Sequence, residues 1–284
     1  MFRSARKPPA RAVITGASSG IGAAFARALP GADLLLTGRD AHALEQLAAE
    51  LRRDGDGRKV EVVTADLTSA TERAELIAAA HAFAPNLLVN DAGLGTWGRF
   101  LEDPPERAEA TVLVDALAPV ALTRALLPAM LERAERQGER CGLINLASTL
   151  AFTPVPYGAV YGASKAFVLS FTEAIAAELA RRPIDILAVC PDAVRTSFFR
   201  RAGFPGEALP GALEPGDVAK RALADLGRRT VGFTTVPSAL ALRPVADLRQ
   251  AMARSLALGL GAFRAWRGRG EPEGAAGGKG AGAP

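Results

Sequence analysis

The sequence predicts a single doubly wound α/β domain, a parallel sheet with helices on both faces, and three observations predict it. Short apolar runs alternate with longer helical stretches along most of the chain. Most of those runs are apolar throughout, as strands covered on both faces are, instead of alternating. A glycine-rich turn follows the first run and opens the first helix. The length of 284 residues fits one large unit of this kind.

The strand-like runs are "AVIT" (12–15), "DLLLT" (33–37), "VEVVTA" (60–65), "LLVN" (87–90), "GLINLA" (142–147), "DILAVC" (185–190) and "TVGFTTV" (230–236). Between them, apolar spacing predicts helices over 21–29, 41–53, 69–84, 105–137, 157–182 and 215–228. Pro119 and Pro128 fall inside the fourth of these, and each is expected to kink or break it. This pattern places the domain at 10–236, after a basic arm at 1–9. A helical extension follows at 237–268, then a Gly/Ala-rich tail at 269–284 that is expected to be disordered. Ligands of such a sheet bind at the carboxyl ends of the strands, where the winding reverses.

Composition narrows the function. Lys+Arg 34 against Asp+Glu 30 gives a net charge of +4, too small and too scattered for a nucleic-acid footprint. Cys141 and Cys190 stand alone in apolar runs, as buried thiols in a reducing compartment do. Residues 1–9 lack the apolar stretch of a secretory signal, and no apolar run reads as long enough to cross a bilayer. A cytoplasmic location is expected. No Cys/His/carboxylate spacing suggests a metal; His42 and His81 read as surface helix residues.

The turn "GASSGIG" (16–22) admits two readings. As G-x-S-x-G it would present Ser18 as a hydrolase nucleophile, but that chemistry needs a late histidine base, and the only histidines come early in the chain. As a glycine turn on a helix N-terminus it needs only small residues and backbone amides to hold a pyrophosphate. The second reading stands.

Beyond this turn lie "NDAG" (90–93), "INLAS" (144–148), "YGASK" (161–165) and "PDAVRT" (191–196). Together and in this order, these motifs resemble those of the classical short-chain dehydrogenases/reductases, in the bacterial members described only as NAD(P)-dependent oxidoreductases, over about residues 10–236. The resemblance implies a Rossmann-type sheet of seven strands in the order 3-2-1-4-5-6-7. Tyr161 and Lys165 are four apart and share a helix face; an ammonium there is expected to lower the tyrosine pKa toward its working range. By resemblance, Tyr161 exchanges a proton with the substrate oxygen, Lys165 also holds the nicotinamide ribose, and Ser148, thirteen positions before Tyr161, bonds the same oxygen.

The resemblance also assigns the cofactor site: Gly16, Ser18, Ser19, Gly20, Ile21 and Gly22 at the phosphates; Asp66 and Leu67 at the adenine; Asn90, Ala92 and Gly93 beside the adenosine ribose. Pro191 and Thr196 fall at the nicotinamide. At the end of the second strand, NAD-specific sites carry an acid for the ribose 2′-hydroxyl, whereas an arginine suits a 2′-phosphate. Here Gly38 takes that position and Arg39 follows, which favours NADP; Asp40 beside it keeps NAD open.

Three positions depart from the family pattern. Asp115 registers where the family has a water-holding asparagine, Asp91 replaces the second asparagine of "NNAG", and Asp192 replaces the glycine after Pro191. They motivate an alternative, a dinucleotide-binding sensor or scaffold with weak or no turnover. The substrate reads as a moderately apolar aldehyde or ketone, or the matching alcohol, since Phe198, Phe199 and Phe204 punctuate a lid-like stretch and Phe152, Pro154 and Tyr157 follow the serine strand. In the extension, Val245, Leu248, Met252, Leu256, Leu260 and Phe263 recur at helical spacing among Arg249, Arg254, Arg264 and Arg267. Such a helix can lie on an anionic membrane, but packing on the protein's own body or a second subunit is the more frequent use. The resemblance implies a homodimer or homotetramer paired through the helices at 105–137 and 157–182.

Overall fold

The computed structural model describes residues 10–53, 57–203 and 211–267, with side chains through Leu260. The arm at 1–9, the tail from 268 and Phe204 lie outside the described residues. Seven parallel strands form one sheet in the order β3-β2-β1-β4-β5-β6-β7: β1 (Arg11–Thr15), β2 (Asp33–Gly38), β3 (Val60–Thr64), β4 (Leu87–Asn90), β5 (Cys141–Leu146), β6 (Ile184–Cys190) and β7 (Val231–Phe233). The winding reverses between β1 and β4, where Val13 faces Leu35 on one side and Leu88 on the other.

Successive side chains of each strand enter opposite layers. Ile14, Leu34 and Leu36 pack with Phe25 and Leu44, under α1 (Gly20–Arg27) and α2 (Ala41–Arg53). Val13, Leu35 and Leu88 pack with Leu76 and Leu122, under α3 (Ala70–Phe83) and α5 (Ala118–Gln137). Both layers are apolar, which explains strand runs without alternation. α6 (Ala159–Glu178) and α8 (Pro215–Asp225) complete the crossovers. Cys141 and Cys190 are buried and unbridged, and burial raises both thiol pKa values, that of Cys141 to about 11.

The long helix predicted at 105–137 is interrupted. α4 (Pro105–Val112) runs into a π turn at Leu113–Leu117, where Ala118 N–H reaches back five residues to the Leu113 carbonyl, and α5 follows. Pro119 explains the place of the break. It has no N–H for the Asp115 carbonyl, and its ring needs that carbonyl moved aside, which the wider turn does. Pro128, by contrast, is accommodated inside α5. The stretch Pro105–Gln137 is apolar and long enough to cross a membrane by length and composition, contrary to the sequence expectation, with mean hydropathy 1.6 over its best window; half of that window is buried within the protein.

Two further differences have local causes. The last predicted strand shortens to β7 because Thr234 and Thr235 turn their hydroxyls to the Asp192 carboxylate, and a helix begins at once. That helix, α9 (Val236–Arg267), is one continuous element. It lies against α6 through buried Ala246 and through Arg249, which donates two bonds to Glu173 Oε2 at 2.7 and 2.9 Å. Away from that contact Val245, Leu248, Met252 and Leu256 are exposed.

Candidate active site

A cavity of about 700 Å³ opens at the carboxyl ends of the strands, across the point where the winding reverses. Its floor is the turn between β1 and α1. Gly16 has φ +71°, and a Cβ there would lie 2.8 Å from the Ala92 backbone nitrogen; a Cβ on Gly22 would lie 2.5 Å from the Gly16 carbonyl oxygen. Only glycine fits at either position, and the consequence is that α1 starts directly beneath the cavity with its amides toward it. Ser19, at the N-cap, makes no side-chain bond to that first turn.

Gly16, Ser18, Ser19, Gly20 and Ile21 line one wall of the cavity. Arg39, Asp66 and Leu67 border its far end, and Ala92, Gly93, Pro191 and Thr196 also face it. Two predicted cofactor residues do not line it. Gly22 is covered by the turn it allows, and its N–H goes to the Asp91 carboxylate. Asn90 is buried: its amide nitrogen donates to Asn145 Oδ1 at 2.8 Å and Thr123 Oγ1 at 3.3 Å, tying β4 to β5 and α5.

Ser148, Tyr161, Lys165 and Asp115 converge at the other end. Ser148 lies two residues beyond β5, at the start of a 3-10 turn, and bonds the Tyr161 phenol, while its Oγ accepts the Leu150 N–H at 3.1 Å. One turn along α6, Lys165 Nζ donates to the Leu146 carbonyl at 3.1 Å and lies 3.1 Å from Asp115 Oδ2. Asp115 Oδ1 accepts the Leu94 N–H at 2.6 Å. The π turn thus puts a carboxylate directly on the lysine.

That pair corrects one sequence expectation. The Tyr161 pKa is raised, not lowered: burial is the main cause, and the Asp115 and Asp91 carboxylates add to it, outweighing Lys165 and the Ser148 bond. Burial likewise raises the Asp115 pKa against the pull of Lys165. For Lys165 burial opposes the charge, but Asp115, Tyr161 and Asp91 more than offset it, so the ammonium is held charged.

Asp192 is less exposed to the cavity chemistry than its position suggests. Its Oδ2 accepts the Thr235 hydroxyl at 2.8 Å and the Thr234 hydroxyl at 3.4 Å, and Oδ1 accepts from Ser238. It anchors the start of α9. Of the candidate substrate residues, Phe198, opening the short helix α7 (Phe198–Arg201), packs tilted at 5.4 Å from the Tyr161 ring, and Phe199 meets the Phe198 ring edge-on at 5.7 Å. Phe152 and Tyr157 do not line the cavity. The Phe152 ring packs on Phe233 at 5.6 Å in the core under α9, and Tyr157, at φ +64°, is turned outward and exposed; Pro154 is exposed as well.

Trp97 and Arg201 also line the cavity and were not legible from sequence, because each sits in a segment without periodic pattern. Arg201 Nη2 donates to Ser19 Oγ at 3.4 Å. Its pKa is lowered, first by burial and then by Arg39 and Arg200 nearby.

Comparison with known proteins agrees with this geometry. Residues 10–203 match the family model described as short chain dehydrogenase. A short-chain dehydrogenase of Sphingobium yanoikuyae in complex with NADPH superposes with a TM-score of 0.76 at 32% identity, over 85% of this chain and 94% of that one. The bulky-bulky ketone specific alcohol dehydrogenase of Comamonas testosteroni gives 0.73 at 28% identity, over 87% and 94%. A short chain dehydrogenase/reductase of Burkholderia phymatum in complex with NAD gives 0.69 at 30%, over 85% and 92%. The chain belongs to the short-chain dehydrogenase/reductase family.

Proposed function

We propose that this protein is an NADP(H)-dependent oxidoreductase that moves a hydride between the nicotinamide and a carbonyl or alcohol carbon, with Tyr161 as general acid and base. The observation that carries the reading is that the phenol, ammonium and hydroxyl of Tyr161, Lys165 and Ser148 share one cavity with the N-terminus of α1. A dinucleotide fits the residues present. Its phosphates would sit on α1, its adenosine between Arg39 and Asp66, and its nicotinamide beside Thr196 and Pro191.

When bound, the nicotinamide supplies or accepts the hydride. The Ser148 hydroxyl and the Tyr161 phenol direct two donors at one carbonyl oxygen, so charge developing on it is met by bonds already in place. Tyr161 gives its proton to that oxygen in reduction and takes it back in oxidation. Of the three Lys165 protons, two are directed to Asp115 and Leu146, and the third is left for ribose hydroxyls.

Support for NADP comes from Arg39 and Arg201, two guanidiniums bordering the cavity; burial and then Arg39 lower the Arg201 pKa, a cost that a 2′-phosphate between them would relieve. Phe198, Phe199 and Trp97 around the phenol suit a ketone with apolar flanks, as the structural match to a bulky-ketone enzyme also suggests. The Asp115–Lys165 pair favours a second reading, a dinucleotide sensor with slow turnover. Following nicotinamide absorbance with NADPH and NADH across a panel of aldehydes, ketones and alcohols separates them: turnover with NADPH is expected, and tight binding without turnover on any substrate would select the sensor. A homo-oligomer is part of the proposal. It is supported by exposed Val112, Leu117 and Phe167 on α4, the π turn and α6, with Phe167 stacked on Phe171 at 6.3 Å.

A further inference from the structure

Asp91 sits beneath the glycine turn. A Cβ built on Gly22 would lie 2.8 Å from its Oδ2, one on Gly16 3.1 Å away, and the carboxylate accepts the Gly22 N–H in the first turn of α1. Since Ser19 supplies no cap, the cap of α1 comes from the segment after β4 instead. The Asp91 and Ala92 N–H groups both donate to Thr15 Oγ1 at 3.0 Å, which fixes this segment against β1. The same helix end faces the cavity, and Asp91 is among its lining residues.

A helix N-terminus carries about half a positive charge. Here a carboxylate already occupies its inner side, and a pyrophosphate on the outer side would add negative charge within the same turn. We propose that the charge on Asp91 sets the affinity of the site for its dinucleotide: the protonated acid admits the pyrophosphate, and the carboxylate opposes it. This rests on the dinucleotide reading above and goes beyond it.

The surroundings make that charge adjustable near neutrality. Burial raises the Asp91 carboxyl to about 7, with Asp115 adding to the rise and Lys165 and the Gly22 N–H opposing it. Those two side chains and the Tyr161 phenol are the titratable groups that act on Asp91 or respond to it, from the π turn and α6; α1 and β1 present it only amides and the Thr15 hydroxyl. Lys165 is itself engaged by Asp115 at 3.1 Å, so it neutralises Asp91 only in part. Binding an anion must raise the Asp91 pKa further, and linkage then requires that binding take up a proton around pH 7 to 8.

The test is the Kd of NADH, which lacks a titrating 2′-phosphate, from pH 6 to 9 in wild type, Asp91→Asn and Asp115→Asn, with proton uptake read by calorimetry in buffers of different ionisation heat. Asparagine keeps an acceptor for the Gly22 N–H, so the cap survives; melting curves check the fold. Wild type is expected to bind on the order of tenfold more weakly at pH 8.5 than at pH 6 and to take up a proton; Asp115→Asn, which removes a group that raises the Asp91 pKa and frees Lys165, should show the same slope moved to lower pH. Asp91→Asn should bind evenly across the range with no uptake. Equal slopes in wild type and Asp91→Asn, or a slope in Asp115→Asn that moves to higher pH, overturn the inference and leave the oxidoreductase reading intact. Should Asp91→Asn fail to fold, the carboxyl resonance of Asp91 in the wild type decides: its midpoint must rise when NADH is added, and an unmoved midpoint overturns the inference. Absence of dinucleotide binding at every pH overturns both.

Discussion

At the scale of single residues, burial of Tyr161, with Asp115 and Asp91 near it, bears on the direction the proposed reaction would favour. A phenol held above its usual pKa by burial and by two carboxylates keeps its proton at neutral pH, the state needed for carbonyl reduction, whereas alcohol oxidation needs the phenolate. Reduction is therefore expected to be level across neutral pH, and oxidation to climb steadily into the alkaline range. Asp115→Asn removes one of the carboxylates and should move the oxidation profile toward acid; a pH series of kcat/KM in both directions checks this. Arg39 makes a separate prediction. Arg39→Ala should weaken NADPH on the order of tenfold or more, the loss of a charge-assisted bond, and change NADH affinity little, as measured by titration of both cofactors. Tyr161, Lys165 and Ser148 were legible because their spacing and residue types are restrictive as a set. Their electrostatic balance was not, since it depends on burial and on Asp115 reaching Lys165 from fifty positions upstream.

At the scale of elements, the π turn positions Asp115. A regular helix through Leu113–Leu117 would rotate the residues before it relative to α5, and Pro119 is what forbids that regular path. Pro119→Ala restores the missing N–H, and the expected outcome is an unchanged or raised melting temperature with kcat/KM for carbonyl reduction lowered roughly tenfold, since the Asp115–Lys165 contact loosens. Sequence alone located a disturbance at Pro119 but not its form, because a kink, a break and a widened turn all relieve the same clash. Asp192 is a second case. Reading it as a charge beside the cofactor missed Thr234, Thr235 and Ser238, which become its neighbours only when β7 ends early. Asp192→Ala should destabilise the fold by about 2 kcal/mol, the scale of bonds to a charged acceptor, read by chemical denaturation.

For the whole molecule, the sheet was legible because every strand is covered on both faces, so strand runs announce themselves as apolar and the crossovers as helices. What joins distant parts was not: α9 depends on Ala246 fitting against α6 and on Arg249 finding Glu173, pairings with no local signature. The same holds for the pH dependence of stability. Asp91, raised to about 7, holds its proton in the folded chain over a range where an unfolded chain would release it, and burial moves Asp115 in the same direction. The contribution of Asp91 to stability is complete below about pH 4 and is lost as pH rises through about 7, and Asp115 acts in the same sense. Asp66 and Glu50, whose pKa values are lowered, act in the opposite sense as pH falls. Melting temperatures of Asp91→Asn relative to wild type should therefore gain progressively between pH 5 and pH 8.

The central claim is that Tyr161 transfers the proton beside a bound dinucleotide. The most direct measurement is Tyr161→Phe, which removes one oxygen and little else, with NADPH affinity and ketone turnover determined on the same preparation. Turnover is predicted to fall between a hundred- and ten-thousandfold while the Kd for NADPH stays within about threefold, as no anion contact is lost. Turnover that survives the substitution would contradict the claim.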